Sequence, residues 1–390
     1  MTGVAETKST RIQNESHAAR QAYFEQGQKR ALALGNRGPL RFNADGSIHD
    51  DIIEAYWKYG FYVLEGVVGN EELEELRSDF AHVLDHAPAA PGSAVDNKGR
   101  PAINAPFERV NFQFAKPLSD PMGGTGAANG RYQVKMAELT PDAAAPAQTI
   151  LQINGNLQLM DSCLRLYGQP HLLTVAEALN GPDFTPFTDA IWVKEPGLGA
   201  AVSWHQDGTT HWDNPDLDSG THGFNFMAQL YRTTPGNALW IMPETHDLGR
   251  IDIRQRVADN DGSDHLPGAV PLVSEAGDVA VCSRQMLHCS FPNGSPDRRV
   301  TFVFGFHRRR SVMGVKGWDF RKSEPVLYDD ERVNERCRVI SLAIDARAQH
   351  FPDEPRYTYQ PQVDEIEANR WNEETRETVL KDYNLRDLGI

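Results

Sequence analysis

Hydrophobic residues in the first part of the chain recur at the spacing of helix faces. One face precedes Gly60, where the helix is expected to end, and comprises Ile52, Ile53, Tyr56 and Trp57. A strand is expected over 61–68, because this segment is apolar and contains β-branched side chains. A second helix is predicted from Asn70, with a buried side formed by Leu73, Leu76, Phe80, Val83 and Leu84.

The second half of the chain consists of short apolar segments at close spacing, separated by turns such as Glu195-Pro196-Gly197. Many short strands with Gly and Pro turns are typical of a sandwich or barrel. Because the first half supplies helices, they are expected to back one sheet, so we predict a mainly β fold with flanking helices. The predicted strands are 184–194, 200–207, 224–232, 238–242, 278–282, 285–290 and 300–307.

Changes in composition divide the chain into three parts. Residues 1–49 are polar and are predicted to form an N-terminal helical extension, and residues 50–310 the main domain. Within that domain, residues 88–130 are rich in Pro, Gly, Ala and Asn and are predicted to be a long loop of functional importance. Residues 150–179 are predicted to be mainly helical. The charged residues 311–390 are predicted to form a C-terminal helical extension.

Charge and composition exclude several classes of partner. The 390 residues include 39 Lys and Arg against 54 Asp and Glu, for a formal charge of −15. Nucleic acid and anionic membranes are therefore not expected partners. The chain has no run of about 18 apolar residues and no signal-like apolar start, so a soluble cytoplasmic protein is expected. The four cysteines show no paired spacing, which fits a reduced compartment. The oligomeric state is not indicated.

A candidate metal site lies around residue 205. If this stretch is extended, His205 and Asp207 leave the same face of the strand and can hold one divalent cation. His-x-Asp also occurs by chance, so a third ligand is needed. Strand alternation puts Met286, His288 and Ser290 on one face, and His288 becomes that candidate if the face points inward.

Arg299 opens an apolar strand that continues through Val300 to Phe304. A buried arginine cannot lose its charge and is costly unless it meets an acid. A cosubstrate that carries a carboxylate would provide that acid, with a bidentate pair as the natural geometry.

Further residues are candidates for binding substrate, each with a plain structural alternative. Arg109 and Asn111 lie in the long loop and either line a substrate pocket or form a solvated edge. Trp212, with other tryptophans of this region, either walls a pocket or fills the core. Gln229 and Tyr231 alternate on one strand face and are candidates for presenting polar groups inward to cosubstrate or substrate.

Taken together, these motifs resemble those of the phytanoyl-CoA dioxygenase family of non-haem iron, 2-oxoglutarate-dependent oxygenases. The segment from Tyr59 to Leu64 is similar to that family's opening helix and strand. The resemblance covers about residues 50–310 and depends on the order of the motifs. These are Lys194-x-Pro196-Gly197, Trp204-His205-Gln206-Asp207, Asn237 to His246, Gly277-Asp278, His288-x-Ser290-x-Pro292-Asn293-x-Ser295 and Arg299.

The resemblance implies a double-stranded β-helix, also called a jelly roll or cupin-like fold. It implies that Fe(II) is held by His205, Asp207 and His288, a facial triad that leaves positions for 2-oxoglutarate and O2. Arg299 matches the arginine that pairs with the distal carboxylate of 2-oxoglutarate. Ser290 and Lys194 match positions that help to hold the cosubstrate, and the equivalent of Gln206 can approach it.

The implied reaction oxidises a C–H bond of a small molecule while 2-oxoglutarate yields succinate and CO2. Related halogenases have Gly or Ala in place of Asp207, so its presence favours hydroxylation, with desaturation or rearrangement also open. The long loop and the C-terminal extension suggest a specialised, biosynthetic substrate. Two alternatives remain: a cupin-like metal enzyme that does not use 2-oxoglutarate, and a non-catalytic binding protein on the same scaffold.

Overall fold

A computed structural model describes residues 17–108, 110–187, 189–207, 223–319, 324–381 and 383. Among the helices of these residues, none combines the length and the apolar character that a membrane crossing requires. The strands, labelled in chain order, are β1 (Arg37–Pro39), β2 (Phe61–Glu65), β3 (Asn111–Ala115), β4 (Thr149–Asn154), β5 (Thr185–Pro186), β6 (Ala190–Lys194), β7 (Val202–His205), β8 (Gly223–Gln229), β9 (Trp240–Ile241), β10 (Val270–Pro271), β11 (Val279–Ser283), β12 (His288–Ser290), β13 (Arg299–His307), β14 (Lys316–Asp319) and β15 (Glu324–Leu327).

Two sheets form the centre of the molecule. The larger sheet has the order β1-β2-β11-β8-β13-β6-β4-β3, with β5 paired to β13, and the smaller one has the order β10-β9-β12-β7. The β1–β2 pair is parallel and the other pairs of these two sheets are antiparallel. Strands β14 and β15 form a separate hairpin. The prediction of a mainly β, double-stranded β-helix fold with flanking helices is confirmed.

Side chains alternate between the two faces of each sheet, so each face packs against different neighbours. In β13, Phe302, Phe304 and Phe306 belong to the main apolar cluster, together with Phe226 of the adjacent β8. The intervening side chains, such as Thr301, turn to the opposite face, towards the small sheet. In the small sheet, the outward residues Trp204, Trp240 and Cys289 pack in a second cluster. The space between the sheets is therefore lined by every second residue of each strand.

A layer of helices covers the outer face of the large sheet. The long helix Asp330–His350 is buried along much of its length and shares the main apolar cluster with the sheet. Its Arg347 forms a buried ion pair with Glu72, which ties the C-terminal part to the helix that starts at Asn70, and a partly buried one with Glu354. The α-helices are His17–Ala33, Asp50–Tyr59, Asn70–Asp85, Ala127–Gly130, Asn156–Leu159, Asp161–Tyr167, Pro170–Asn180, Ile253–Asp259, Arg309–Val312, Asp330–His350 and Glu373–Thr375.

Two predicted segments differ in the structure. Residues 149–154 form β4 rather than the start of a helix, because alternate residues such as Leu151 and Ile153 are buried between β3 and β6. The predicted loop over 88–130 contains β3, which extends the edge of the large sheet. Near the C-terminus the chain forms short 3-10 turns at Gln360–Glu365 and Glu367–Asn369 and a π-helical turn at Arg376–Leu380.

A buried carboxyl group at the start of β6 makes stability depend on pH. The carboxylate of Asp189 accepts hydrogen bonds from the backbone N–H groups of Asn156 and Leu157. Burial nevertheless raises the pKa of Asp189 to about 6. The folded state therefore binds this proton more tightly than the unfolded chain. Asp189 thus lowers stability as the pH rises from the unfolded pKa to the folded one, and above the folded pKa the loss stays constant.

We predict that Asp189→Asn becomes progressively more stable than the wild type as the pH rises from about 4 to 7. The difference in free energy of unfolding should change by up to about 3 kcal/mol over this range, as follows from the pKa change. Urea unfolding at several pH values measures it, with the exposed Asp183→Asn as control. A difference that stays constant with pH would contradict the prediction.

Candidate active site

Two histidines face each other where the strands of the small sheet pair. In the antiparallel pairing of β7 with β12, His288 lies opposite His205. Their ring centroids are 4.1 Å apart, and both side chains point into the space between the sheets. The intervening Trp204 and Cys289 point outward, so alternation alone brings the two imidazoles together.

Asp207 completes a group that can hold a metal ion. It follows β7, and its backbone N–H donates to the carbonyl of Arg284 at 2.8 Å. Its carboxylate oxygens lie 3.6 Å from Nε2 of His205 and 3.9 Å from Nε2 of His288. The three candidate ligand atoms all lie within 4.8 Å of one another, as one cation between them requires. Two imidazoles and one carboxylate are the donor set of non-haem Fe(II) oxygenases.

Backbone carbonyls fix the orientation of both imidazoles. Nδ1 of His205 lies 2.7 Å from the carbonyl of Ser203, and Nδ1 of His288 lies 2.9 Å from that of Met286. Donation through Nδ1 leaves each Nε2 lone pair for a metal. Burial, and then the neighbouring His288, lowers the pKa of His205 well below its usual value. His205 is therefore neutral at physiological pH, the form that binds metals.

Arg131, which the sequence analysis did not select, contacts the third ligand candidate. Its Nη1 donates to Oδ1 of Asp207 at 2.9 Å, and the amide of Asn225 lies 3.3 Å from Oδ2. Burial by itself would raise the pKa of Asp207, but Arg131, followed by the two histidines, holds it well below its usual range. Arg131 lies in the Gly-rich connection before β4, and no local motif indicates its role.

The other end of the same cavity carries a buried cation. Arg299 is buried, and its Nη1 donates to the carbonyl of Asn237 at 3.0 Å. Among the described residues, no carboxylate pairs with Arg299, and neither its Nε nor the hydroxyl of Ser290 has a hydrogen-bond partner. Burial lowers the pKa of Arg299 to about 10, so it stays charged at neutral pH. These unpaired groups fit the distal carboxylate of 2-oxoglutarate.

The remaining cavity wall is mainly apolar. Gln229 lies in the wall, and its Oε1 accepts a hydrogen bond from Thr301 at 2.7 Å. The residues Trp192, Val202, Met227, Leu239 and Val303 complete the apolar part. Of the other tryptophans, Trp204 and Trp240 are fully buried on the outer side of the small sheet.

Two predicted cosubstrate residues do not line the cavity. The ammonium of Lys194 donates to the carbonyls of Ala200 and Phe291, at 2.6 and 2.7 Å. Burial, and then Arg299, lowers its pKa well below the usual value. The amide of Gln206 donates to the carbonyls of Gly249 and Gln285 on the opposite face of the strand. Both side chains therefore join loops to strands.

The predicted substrate residues are also dispersed. Asn111 is exposed on the edge strand β3, away from the cavity. Tyr231 lies outside it as well, where its ring packs against Arg77 at 5.1 Å and Arg298 at 5.9 Å. Arg109 and Trp212 lie outside the described residues, so their predicted roles stay predictions.

A jelly roll with this donor set and a cation deep in the same cavity defines a non-haem iron oxygenase that uses 2-oxoglutarate. The chain belongs to the phytanoyl-CoA dioxygenase family, whose model matches residues 56–301, and is an oxidoreductase with Fe(II) and 2-oxoglutarate as cofactor and cosubstrate. The Oryza sativa subsp. japonica protein Phytanoyl-CoA dioxygenase 1 is 23% identical over 303 residues, which cover 73% of this chain and 99% of that protein.

The solved structures that are similar to this chain include AviO1 and EctD. AviO1 from Streptomyces viridochromogenes Tue57 is 18% identical, with a TM-score of 0.45 over 66% of this chain and 94% of that one. EctD from S. alaskensis, crystallised with 2-oxoglutarate and 5-hydroxyectoine, is 17% identical, with a TM-score of 0.46 over 75% of this chain and 86% of that one.

The contacts of Lys194 generate a prediction. Lys194→Met should leave the affinity for 2-oxoglutarate within about threefold of wild type, because the ammonium is outside the cavity. It should lower the free energy of unfolding by about 1–3 kcal/mol, since two buried carbonyls lose their donor. Isothermal titration with 2-oxoglutarate and Mn(II), and urea unfolding, measure the two quantities, with the exposed Lys116→Met as control. Loss of 2-oxoglutarate affinity without loss of stability would instead identify a cosubstrate ligand.

Proposed function

We propose that this protein oxidises a C–H bond of a small-molecule substrate, with hydroxylation as the favoured outcome. In this proposal His205, Asp207 and His288 hold Fe(II), and Arg299 and Ser290 bind the distal carboxylate of 2-oxoglutarate. When bound, Fe(II) and 2-oxoglutarate supply the oxidation: the cosubstrate becomes succinate and CO2 as O2 is consumed. The substrate itself remains a proposal, and a biosynthetic intermediate is the class that we favour.

The main support is that one cavity contains both a group of candidate metal ligands and a buried cation that lacks an acid partner among the described residues. At one end, three ligand candidates lie together with their Nε2 and carboxylate atoms turned inward. At the other end, the guanidinium of Arg299 is buried without an acid partner among the described residues. An unpaired buried charge is costly, so a dianion that spans the cavity from metal to arginine would stabilise both ends.

The protein contributes orientation and the exclusion of water. Three ligands on one face leave positions for both donor atoms of 2-oxoglutarate and for O2. The apolar side chains of Trp192, Met227 and Leu239 keep the cavity dry, which strengthens the charge interactions within it. In related halogenases this ligand position holds Gly or Ala, which leaves a coordination position on the metal for a halide. Here Asp207 occupies it, which favours hydroxylation over halogenation.

The proposed cosubstrate site is tested by anaerobic titration with Fe(II) and 2-oxoglutarate, following the visible charge-transfer band of the chelate. Wild type should show the band. Arg299→Ala should need about 30-fold more 2-oxoglutarate or more, because one partner of a buried charge pair is lost. Arg298→Ala is the matched control, since Arg298 is half-exposed and pairs with Glu195 outside the cavity.

Two outcomes would contradict this proposal. Bound metal without a band in wild type would favour a metal enzyme that does not use 2-oxoglutarate. Equal affinities in Arg299→Ala and Arg298→Ala would show that the distal carboxylate lies elsewhere. Asp207→Ala reports separately on the metal, because it should reduce Fe(II) binding whether or not 2-oxoglutarate is present.

A further inference from the structure

Arg131 is held firmly against the candidate metal ligand. Its guanidinium donates to Oδ1 of Asp207 at 2.9 Å and to the hydroxyl of Tyr132 at 2.8 Å. The ring of Tyr132 lies 4.7 Å from that of His205. Two consecutive residues of one connection thus contact two different members of the triad, so this connection forms one wall of the site.

The connection is fixed by a buried carboxylate on its inner side. Asp120 accepts hydrogen bonds from the backbone N–H groups of Gly123 at 3.0 Å and Met136 at 2.8 Å, on either side of Arg131. It also accepts one at 2.6 Å from the hydroxyl of Ser203, whose carbonyl orients His205. A Cβ atom at Gly123 would lie 1.9 Å from the Asp120 carboxylate, which explains the glycine. These contacts hold the connection in place on both sides of Arg131.

The position of Arg131 has an electrostatic consequence for metal binding. A cation bound to the Asp207 carboxylate would lie within about 5 Å of the guanidinium, given metal–oxygen bonds of about 2 Å. In a buried site two positive charges at this separation repel strongly. The 2-oxoglutarate dianion offsets the charge of a divalent metal. The repulsion that opposes the bare metal is therefore largely removed in the complex with cosubstrate.

We propose that Arg131 is a positioning residue that couples metal binding to 2-oxoglutarate binding. Its positive charge lowers the affinity for the metal alone, but much less so for the metal in complex with 2-oxoglutarate. Each ligand therefore raises the affinity for the other. This inference rests on the proposed function, since it takes Asp207 as a metal ligand. It assigns a role to a residue outside the motifs of the family resemblance.

The test measures Mn(II) affinity with and without saturating 2-oxoglutarate, using the electron paramagnetic resonance signal of free Mn(II). The ratio of the two dissociation constants is the coupling factor. In Arg131→Gln this factor should fall by about tenfold, within the usual range of coupling energies, because Mn(II) alone binds more tightly. Arg131→Lys keeps the charge and should keep most of the coupling.

Arg254→Gln is the matched control, because Arg254 is exposed and its Nε donates to the carbonyl of Gln133 in the same connection. An unchanged coupling factor in Arg131→Gln would overturn the inference. So would equal weakening of Mn(II) with and without 2-oxoglutarate, which indicates that Arg131 only holds the carboxylate in place. Absence of coupling in wild type would contradict the proposed function itself. Thermal melts verify that each variant is folded.

Discussion

The antiparallel pairing of β7 with β12 is the constraint on which the site depends. It places His205 and His288 opposite each other on the inner face, while Trp204 and Cys289 take the outer face. A shift of one residue in either strand would exchange these faces. The bulky outer residues, packed with the N-terminal helix His17–Ala33, therefore fix the inward direction of both imidazoles. Packing on the outside of the small sheet determines the chemistry on its inside.

The two charged groups Asp207 and Arg299 in the cavity differ in whether the protein supplies a partner of opposite charge. Asp207 has a protein partner in Arg131, and a low pKa keeps it ionised before any metal arrives. Arg299 has only a backbone carbonyl among its described hydrogen-bond partners, and the main charge that it can meet must come from a ligand. The charge near the metal position is thus paired within the protein, whereas the positive charge at the far end is not. This difference determines which way round a dianion would bind, with one carboxylate towards Arg299.

Local patterns predicted the parts of this protein that depend on neighbours in the chain. Period-two alternation predicted the strands around residues 205, 288 and 300, because side chains alternate between the two faces of a strand. It left open which face of the strand carrying His288 points inward. Residues 150–154 fall at the start of the segment 150–179 that is predicted to be mainly helical, and their pairing with β3 and β6 shows why they are extended.

The remaining site residues depend on contacts across the fold, which no local pattern contains. Arg131 reaches Asp207 from a connection whose backbone is hydrogen-bonded to Asp120, and neither Arg131 nor Asp120 stands in a motif. Lys194 and Gln206 stand within motifs, yet tertiary hydrogen bonds turn both side chains toward backbone carbonyls. The family resemblance suggests roles for these positions. The direction of each side chain, however, is determined by the hydrogen-bond partners that the fold places within its reach.

The family match ends at residue 301, but the folded unit does not. That position lies inside β13, whose later residues Phe302, Phe304 and Phe306 pack against the helical layer that includes Asp330–His350. A chain cut at the end of the match would lose the central strand's apolar stripe and the helix that covers it. The smallest unit that can be expressed or grafted with this site is therefore set by burial, and it extends well beyond the region that sequence similarity defines.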